Sequence, residues 1–298
     1  MSEYKQWEQL KTAKSHLLYP ENIGKHLSLD ETSFTHGELY TILTNKAAKG
    51  KKGSIVAIVS GTSSESIIPI LEKMPLRLRK KVEEITLDMA GSMNQIAKKC
   101  FPNAVLVTDR FHVQKLALEA VQELRIKHRW EALDQENDDI DKAKRHKKAY
   151  RPEILANGDS IKQLLARARY TLYKSPKEWT NHQKIRAKLL FERYPDIHKA
   201  YQLSQSLKNI FKENRGKIYA FTRLARWHEE VAQSGFKSFN TISRTIQNHY
   251  QTIINYFDNR STNAAAESFN AKIKAFRAQF RGVRKIEFFL FRLTQIYA

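Results

Sequence analysis

The stretch VEEITLDMAGSMNQIAKKCFPNAVLVTDRFH, residues 82–112, decides how this chain folds. VEEITLDMAG (82–91) reads as a strand that ends at Asp88. SMNQIAKKCF (92–101) reads as a short helix, and Pro102–Asn103 as a turn. AVLVTDRFH (104–112) is a further strand ending at Asp109. Two apolar strands with a short helix between them call for a crossover connection and parallel pairing.

Upstream, HLSLDETSF (26–34) reads as a strand that breaks at an acidic pair. LYTILTN (39–45) alternates as a second strand, and GSIVAIVSG (53–61) is a third, apolar enough to be buried on both faces. Their short connections give an antiparallel meander. One connection is a basic turn carrying Lys46, Lys49, Lys51 and Lys52. Residues 64–81 read as a helix with Ser64 as its N-cap. Residues 1–24 are polar and read as an arm. From about 113 the texture is helical and charged, punctuated by Pro152, Pro176, Pro195 and Gly235. The expected division is an arm (1–24), a sheet-containing core (25–117), a helical insertion (118–257) and C-terminal helices (258–298) that complete the core. The fold class is α/β, a mixed five-stranded sheet interrupted by a large all-helical block.

Among the 298 residues, Lys plus Arg number 52 and Asp plus Glu 31, a net charge of +21. Such an excess points to a polyanionic partner, with nucleic acid the commonest. The single cysteine, Cys100, excludes an internal disulfide and a cysteine-based zinc site. It fits a cytoplasmic protein. No run approaches the ~18 apolar residues a membrane helix needs, and the N-terminus lacks the apolar segment of a signal peptide.

Three expected strand ends carry acids: Asp30, Asp88 and Asp109. Ligands gather at the carboxyl ends of strands in open sheets. Asp30 and Asp88 on adjacent strands can share a divalent cation, and carboxylate oxygens suit Mg²⁺ or Mn²⁺. A third acid from a helix would complete a two-metal site for phosphoryl transfer. Glu267 is the best candidate. On its helix Asn263, Glu267, Asn270 and Lys274 form a polar stripe, beside an apolar stripe of Ala266, Phe269, Ile273, Phe276 and Phe280 that should pack on the sheet. Asp109 is the alternative second ligand.

The segments LDETSF (29–34), TLDMAGSM (86–93), PNAVLVTDRFH (102–112) and TNAAAESFNAKIK (262–274) together resemble the insertion-sequence DDE transposases of the ISL-three family. The resemblance covers residues 25–298 in the same order. It implies an RNase H-like core whose last acid follows a helical insertion, and Mg²⁺-dependent cleavage and strand transfer at terminal inverted repeats, with two metal ions. It assigns Asp30, Asp88 and Glu267 as catalytic acids and metal ligands, and prefers Asp88 to Asp109. Asp109 and His112, in D-R-F-H, match a motif that supports the site or contacts DNA beside it. The resemblance further implies a dimer or higher oligomer that joins two DNA ends. Only about 24 residues precede the first acidic strand, so the usual DNA-recognition module would be encoded separately or be missing.

Residues 260–298 carry eight basic and two acidic side chains, a net +6. Lys272, Lys274, Arg277 and Arg281 are expected to hold DNA phosphates. Trp227 in the helical block is the expected base-stacking residue. Two rival functions stay open: a structure-specific nuclease on the same core, and a non-catalytic DNA-binding descendant of a transposase.

Overall fold

A computed structural model describes residues 2–35, 38–213, 215–280, 282 and 285–298. The chain forms two compact units, one from residues 1–112 and 249–298, the other from 113–248.

The first unit is built on a six-stranded mixed sheet of order β1-β4-β3-β2-β5-β6. The strands are β1 (His16–Leu18), β2 (His26–Thr35), β3 (Glu38–Asn45), β4 (Ile55–Ser60), β5 (Glu84–Leu87) and β6 (Val105–Thr108). β2, β3 and β4 form the expected antiparallel meander. β5 joins β2 in parallel and β6 joins β5 in parallel. The expected sheet had five strands. The sixth, β1, comes from the stretch read as an arm and pairs with β4, with Leu17 opposite Ile58. Three residues are too few to show a period of two, so only the tertiary pairing reveals this strand.

The expected helix over 64–81 is two, Ser64–Leu71 and Leu76–Arg79. Pro75 lacks the N–H that a continuous helix would need and disfavours helical geometry at Met74. The first of them is capped at Ser63 rather than Ser64.

One face of the sheet is closed by the Ser64–Leu71 and Gly91–Cys100 helices. Leu27, Leu29, Leu43, Ile85, Leu87 and Leu106 meet Ile67, Leu71, Met93, Ile96 and Cys100 in one buried cluster. On the other face, Phe269 and Ile273 of the Ala264–Gln279 helix and Phe289, Leu290 and Leu293 of the Ile286–Tyr297 helix pack on Phe34, Tyr40, Ile42 and Ile58. The expected apolar stripe is there: Ala266, Phe269 and Ile273 are buried, and Phe276 and Phe280 pack at the margin.

The Tyr250–Asn259 helix also belongs to this unit. Asn255 donates to the Leu106 carbonyl at 3.0 Å, and the Thr252 and Thr108 hydroxyls lie 2.7 Å apart. The helical block therefore ends at 248, not at the expected 257. Its start likewise falls at 113 rather than 118.

Among the described residues the second unit is helical, apart from an isolated antiparallel bridge between Ile154 and Ser160. The Pro195–Lys212 helix starts on a proline, which suits a first turn with no partner for its N–H. The Gly216–Ser234 helix stops at Gly235, whose φ of 77° is left-handed. The buried Asp159 carboxylate is held by Arg167, Arg186 and Asn157. Those cations and the Asn157 amide hold its pKa below the usual carboxylate range against the burial that would raise it. No helix among the described residues is long and apolar enough to cross a membrane.

Candidate active site

Strand register brings the acids together. In the parallel ladder of β2 and β5, Ser28 lies opposite Thr86. Asp30 and Asp88 each follow by two residues, so they stand level and share a face. That face is opposite to the one where Leu27, Leu29, Ile85 and Leu87 are buried. In the ladder of β5 and β6, Leu87 lies opposite Thr108, and the Asp109 N–H donates to the Leu87 carbonyl at 2.9 Å. Asp109 therefore stands level with Asp88. Three aspartates stand level across three parallel strands, Asp88 and Asp109 just past the ends of β5 and β6 and Asp30 within β2, which does not break at its acidic pair as expected but runs on to Thr35.

The Ala264–Gln279 helix crosses this polar face. Ser28 donates to the Asn263 side-chain carbonyl at its start. Two turns later the Asn270 amide donates to Asp30 Oδ2 at 2.7 Å. Glu267 lies between the two asparagines, exposed and in the first turn. Two hydrogen bonds and the packing of Phe269 and Ile273 thus fix the height of Glu267 above β2. Asn263, read as part of the polar stripe, is fully buried.

Each aspartate is oriented by backbone. Asp30 Oδ1 accepts from the Glu31 N–H at 2.8 Å, Asp88 Oδ1 from the Ala90 N–H at 2.8 Å, and Asp109 Oδ1 from the Phe111 N–H at 3.3 Å. Burial pushes the Asp30 carboxyl above its usual range. Neighbouring Asp88 and Glu267 push it the same way, against the Glu31 N–H and His112. Asp109 is wholly buried and also raised, first by burial, while the Phe111 N–H, His112, the Asn263 N–H and Arg110 oppose. Its Oδ2 is buried without a hydrogen bond of its own. Ligand atoms of Asp109, His112 and Glu267 all lie within 4.8 Å of one another. Asp30 and Asp88 fall outside that tight group, and Asp30 is joined to it by the field of Glu267 and His112.

The donor set fits a divalent cation. It consists of closely spaced carboxylates, two of them destabilised by burial and one with an oxygen left unsatisfied. A cation would relieve both costs.

Two nearby residues were missed by sequence reasoning as parts of the site. Asn270 was seen only as part of a stripe, although its spacing from Glu267 already placed it on the same helix face. Glu31, raised by burial and by Asp88 and Asp30, is a further acid beside the site.

The expected DNA-contacting residues divide. Lys274 is exposed. Lys272 is also exposed, and its ammonium donates to the Gly50 carbonyl in the lysine-rich turn at 3.2 Å. Arg277 donates to the Phe34 carbonyl at 3.3 Å and lies over the Phe289 ring. Arg281 lies outside the described residues. Lys46 of the basic turn points inward, to Glu84 and the Thr86 hydroxyl. Trp227 corrects the stacking expectation: it is 1% exposed, and its indole N–H donates to the Leu203 carbonyl at 2.9 Å. A ring packed on all sides offers no face to a base. Trp130, at 59%, is the tryptophan with an open ring.

An antiparallel meander with two parallel strands added beside its first strand, and acids at the shared edge, defines an RNase H-like core. The transposase family of the ISL3 DDE type matches residues 27–293, and the chain belongs to it. It is 21% identical over 277 residues to the transposase for insertion sequence element IS1001 of Bordetella parapertussis, covering 92% of this chain and 61% of that protein. It is 23% identical over 256 residues to the transposase for insertion sequence element IS1557 of Mycobacterium tuberculosis, covering 84% of this chain and 55% of that protein. The chain thus spans a little over half the length of these relatives. No solved structure matches it.

Proposed function

We propose that this chain carries the catalytic core of an insertion-sequence transposase, which cleaves DNA at the terminal inverted repeats of its element and joins the freed 3′-OH to target DNA. The observation behind this is the convergence of Asp30 and Asp88, level on adjacent parallel strands, with Glu267 on a helix anchored to Asp30 through Asn270. Asp30, Asp88 and Glu267 would hold two Mg²⁺ ions, with Mn²⁺ able to substitute. Such ions, when bound, activate the attacking oxygen and stabilise the leaving one.

The chain's own residues do the positioning. The Glu31 and Ala90 N–H groups fix Oδ1 of Asp30 and Asp88, and the Asn270 amide holds Oδ2 of Asp30. Asn270 holds Asp30 in one rotamer. Lys272 and Lys274, one to two turns beyond Glu267, hold flanking phosphates in place without reading sequence. The DNA ends and the target are the partners. The active assembly has two copies or more, with end recognition coming from sequence outside the regions described or from a separately encoded protein. The setting is the bacterial cytoplasm.

The test is cleavage and strand transfer on labelled DNA carrying the element's terminal repeat, with Mg²⁺ or Mn²⁺, wild type beside Glu267→Gln. Metal-dependent cleavage and joining by wild type, absent from the variant, is the expected result. Cleavage without joining would replace this reading with a nuclease. Salt-sensitive DNA binding with no products from wild type, even with any upstream-encoded protein added, would replace it with a binding-only descendant.

A further inference from the structure

Asp109 and His112 take no part in the chemistry proposed for Asp30 and Asp88, yet they are built as ligands. Asp109 follows β6 directly, and His112 lies in the first turn of the helix that begins at Arg110, its N–H donating to the Asp109 carbonyl at 3.2 Å. One tight turn therefore sets both side chains. Glu267 reaches the same point from the Ala264–Gln279 helix. The three ligand atoms lie within 4.8 Å of one another, and this is the one such group of three among the described residues. Asp109 brings a fully buried carboxylate oxygen with no hydrogen bond. A buried unsatisfied anionic oxygen is costly unless something charged completes it.

We propose that Asp109, His112 and Glu267 form a cation site of their own, with mixed nitrogen and oxygen donors, that takes a transition-metal dication such as Zn²⁺. The imidazole decides the class of ion. Mg²⁺ and Mn²⁺ favour oxygen donors, whereas a histidine nitrogen suits Zn²⁺. Three protein donors leave positions open for water or a phosphate oxygen. The ligand atoms must close in by roughly an ångström or more to reach the 2.0–2.2 Å bond lengths of such ions. The exposed Glu267 side chain has room to do so. The site does not require the catalytic reading, but it shares Glu267 with it. A bound transition ion would therefore compete with Asp30 and Asp88 for that carboxylate.

The experiment is a titration of the full chain with Zn²⁺ against a chromophoric chelator. Wild type is compared with His112→Ala, His112→Asn, Asp109→Asn, Asp30→Asn and His128→Ala. His128 is the control, because it already bridges Glu131 at 2.9 Å and Asp196 at 2.6 Å in the helical unit. The expected result is one Zn²⁺ equivalent in wild type. Affinity should fall at least tenfold in both His112 variants and Asp109→Asn, and stay within about threefold in Asp30→Asn and His128→Ala. Far-ultraviolet circular dichroism identifies any variant that fails to fold, and the two His112 variants then stand in for Asp109→Asn. Equal affinity in wild type and both His112 variants overturns the proposal. So does an equal loss in Asp30→Asn, which would put the ion among the catalytic acids, or a loss in His128→Ala. Cleavage activity enters none of these readouts, so failure of the transposase reading and failure of this site are told apart.

Discussion

Along β2 and β5 the two sides of the central sheet carry opposite residues, although each face of the sheet also bears a buried apolar cluster. Along β2 and β5, Leu27, Leu29, Ile85 and Leu87 face one way and are buried under two helices. Ser28, Asp30, Thr86 and Asp88 alternate with them and face the other way. The apolar face gains from burial, roughly 25 cal/mol per Å² removed from water. The polar side of β2 holds Asp30, whose carboxyl is raised first by burial and further by neighbouring Asp88 and Glu267. The crowded carboxylates are held in place by the apolar clusters packed on both faces of the sheet, and a period of two keeps acids and core leucines of β2 and β5 on separate sides.

The largest effect should come from the polar face. Asp88→Asn should reduce metal-dependent DNA cleavage by three orders of magnitude or more, about 4 kcal/mol of transition-state stabilisation. Its melting temperature should stay level or rise, because one of several crowded charges is gone. A drop of several degrees would erase the distinction between the faces. The apolar face should behave the opposite way. Ile85→Ala, at a fully buried site, should cost about 2–5 kcal/mol in denaturant unfolding. Any loss of activity should follow the unfolded fraction alone, and be absent where the variant remains folded.

Between these lies the hydrogen bond that ties the helix to β2. Asn270→Ala leaves Asp30 without its 2.7 Å donor. Turnover should fall about 10–100-fold, the worth of a hydrogen bond to a charged group. DNA affinity should be unchanged, and a higher Mn²⁺ concentration should recover part of the rate. An equal fall in affinity would make Asn270 a DNA contact instead. Lys274→Ala should weaken DNA binding uniformly across sequences and lower the salt slope by about 1. An unchanged slope would remove it from the phosphate track.

The smallest effect is chemical silence at Cys100, on the apolar side. Burial pushes its thiol up to about 11. At pH 8 the thiolate fraction is then about a hundredfold below that of an exposed cysteine. Iodoacetamide should leave Cys100 unmodified in the folded chain and react promptly once it is unfolded. Rapid labelling of the native chain would mean that this face opens.

The meander, the crossover strands and the acids just past β5 and β6 were legible in the sequence, because apolar runs and strand-end aspartates are local signals; Asp30 was misplaced, since β2 runs on through the acidic pair to Thr35. The amphipathic helix of Glu267 was legible for the same reason, through its apolar stripe. β1 was not, since three residues carry no period. The boundary at 248 was not, since the Tyr250–Asn259 helix looks like its neighbours and is assigned only by what it packs on. Trp227 was misread because a tryptophan's exposure depends on which helices surround it.

The sequence by itself determined the alternation that separates acids from core, the helical period that puts Glu267 and Asn270 on one side, and the basic charge of the C-terminal segment. Only the tertiary structure decided that Asp30, Asp88 and Asp109 stand level, that Asn270 reaches Asp30, and that His112 and Asp109 meet Glu267. The reason is sequence separation. Strand register and helix docking bring Asp30 and Asn270 together across 240 positions, and no local preference encodes such a meeting until the strands have paired.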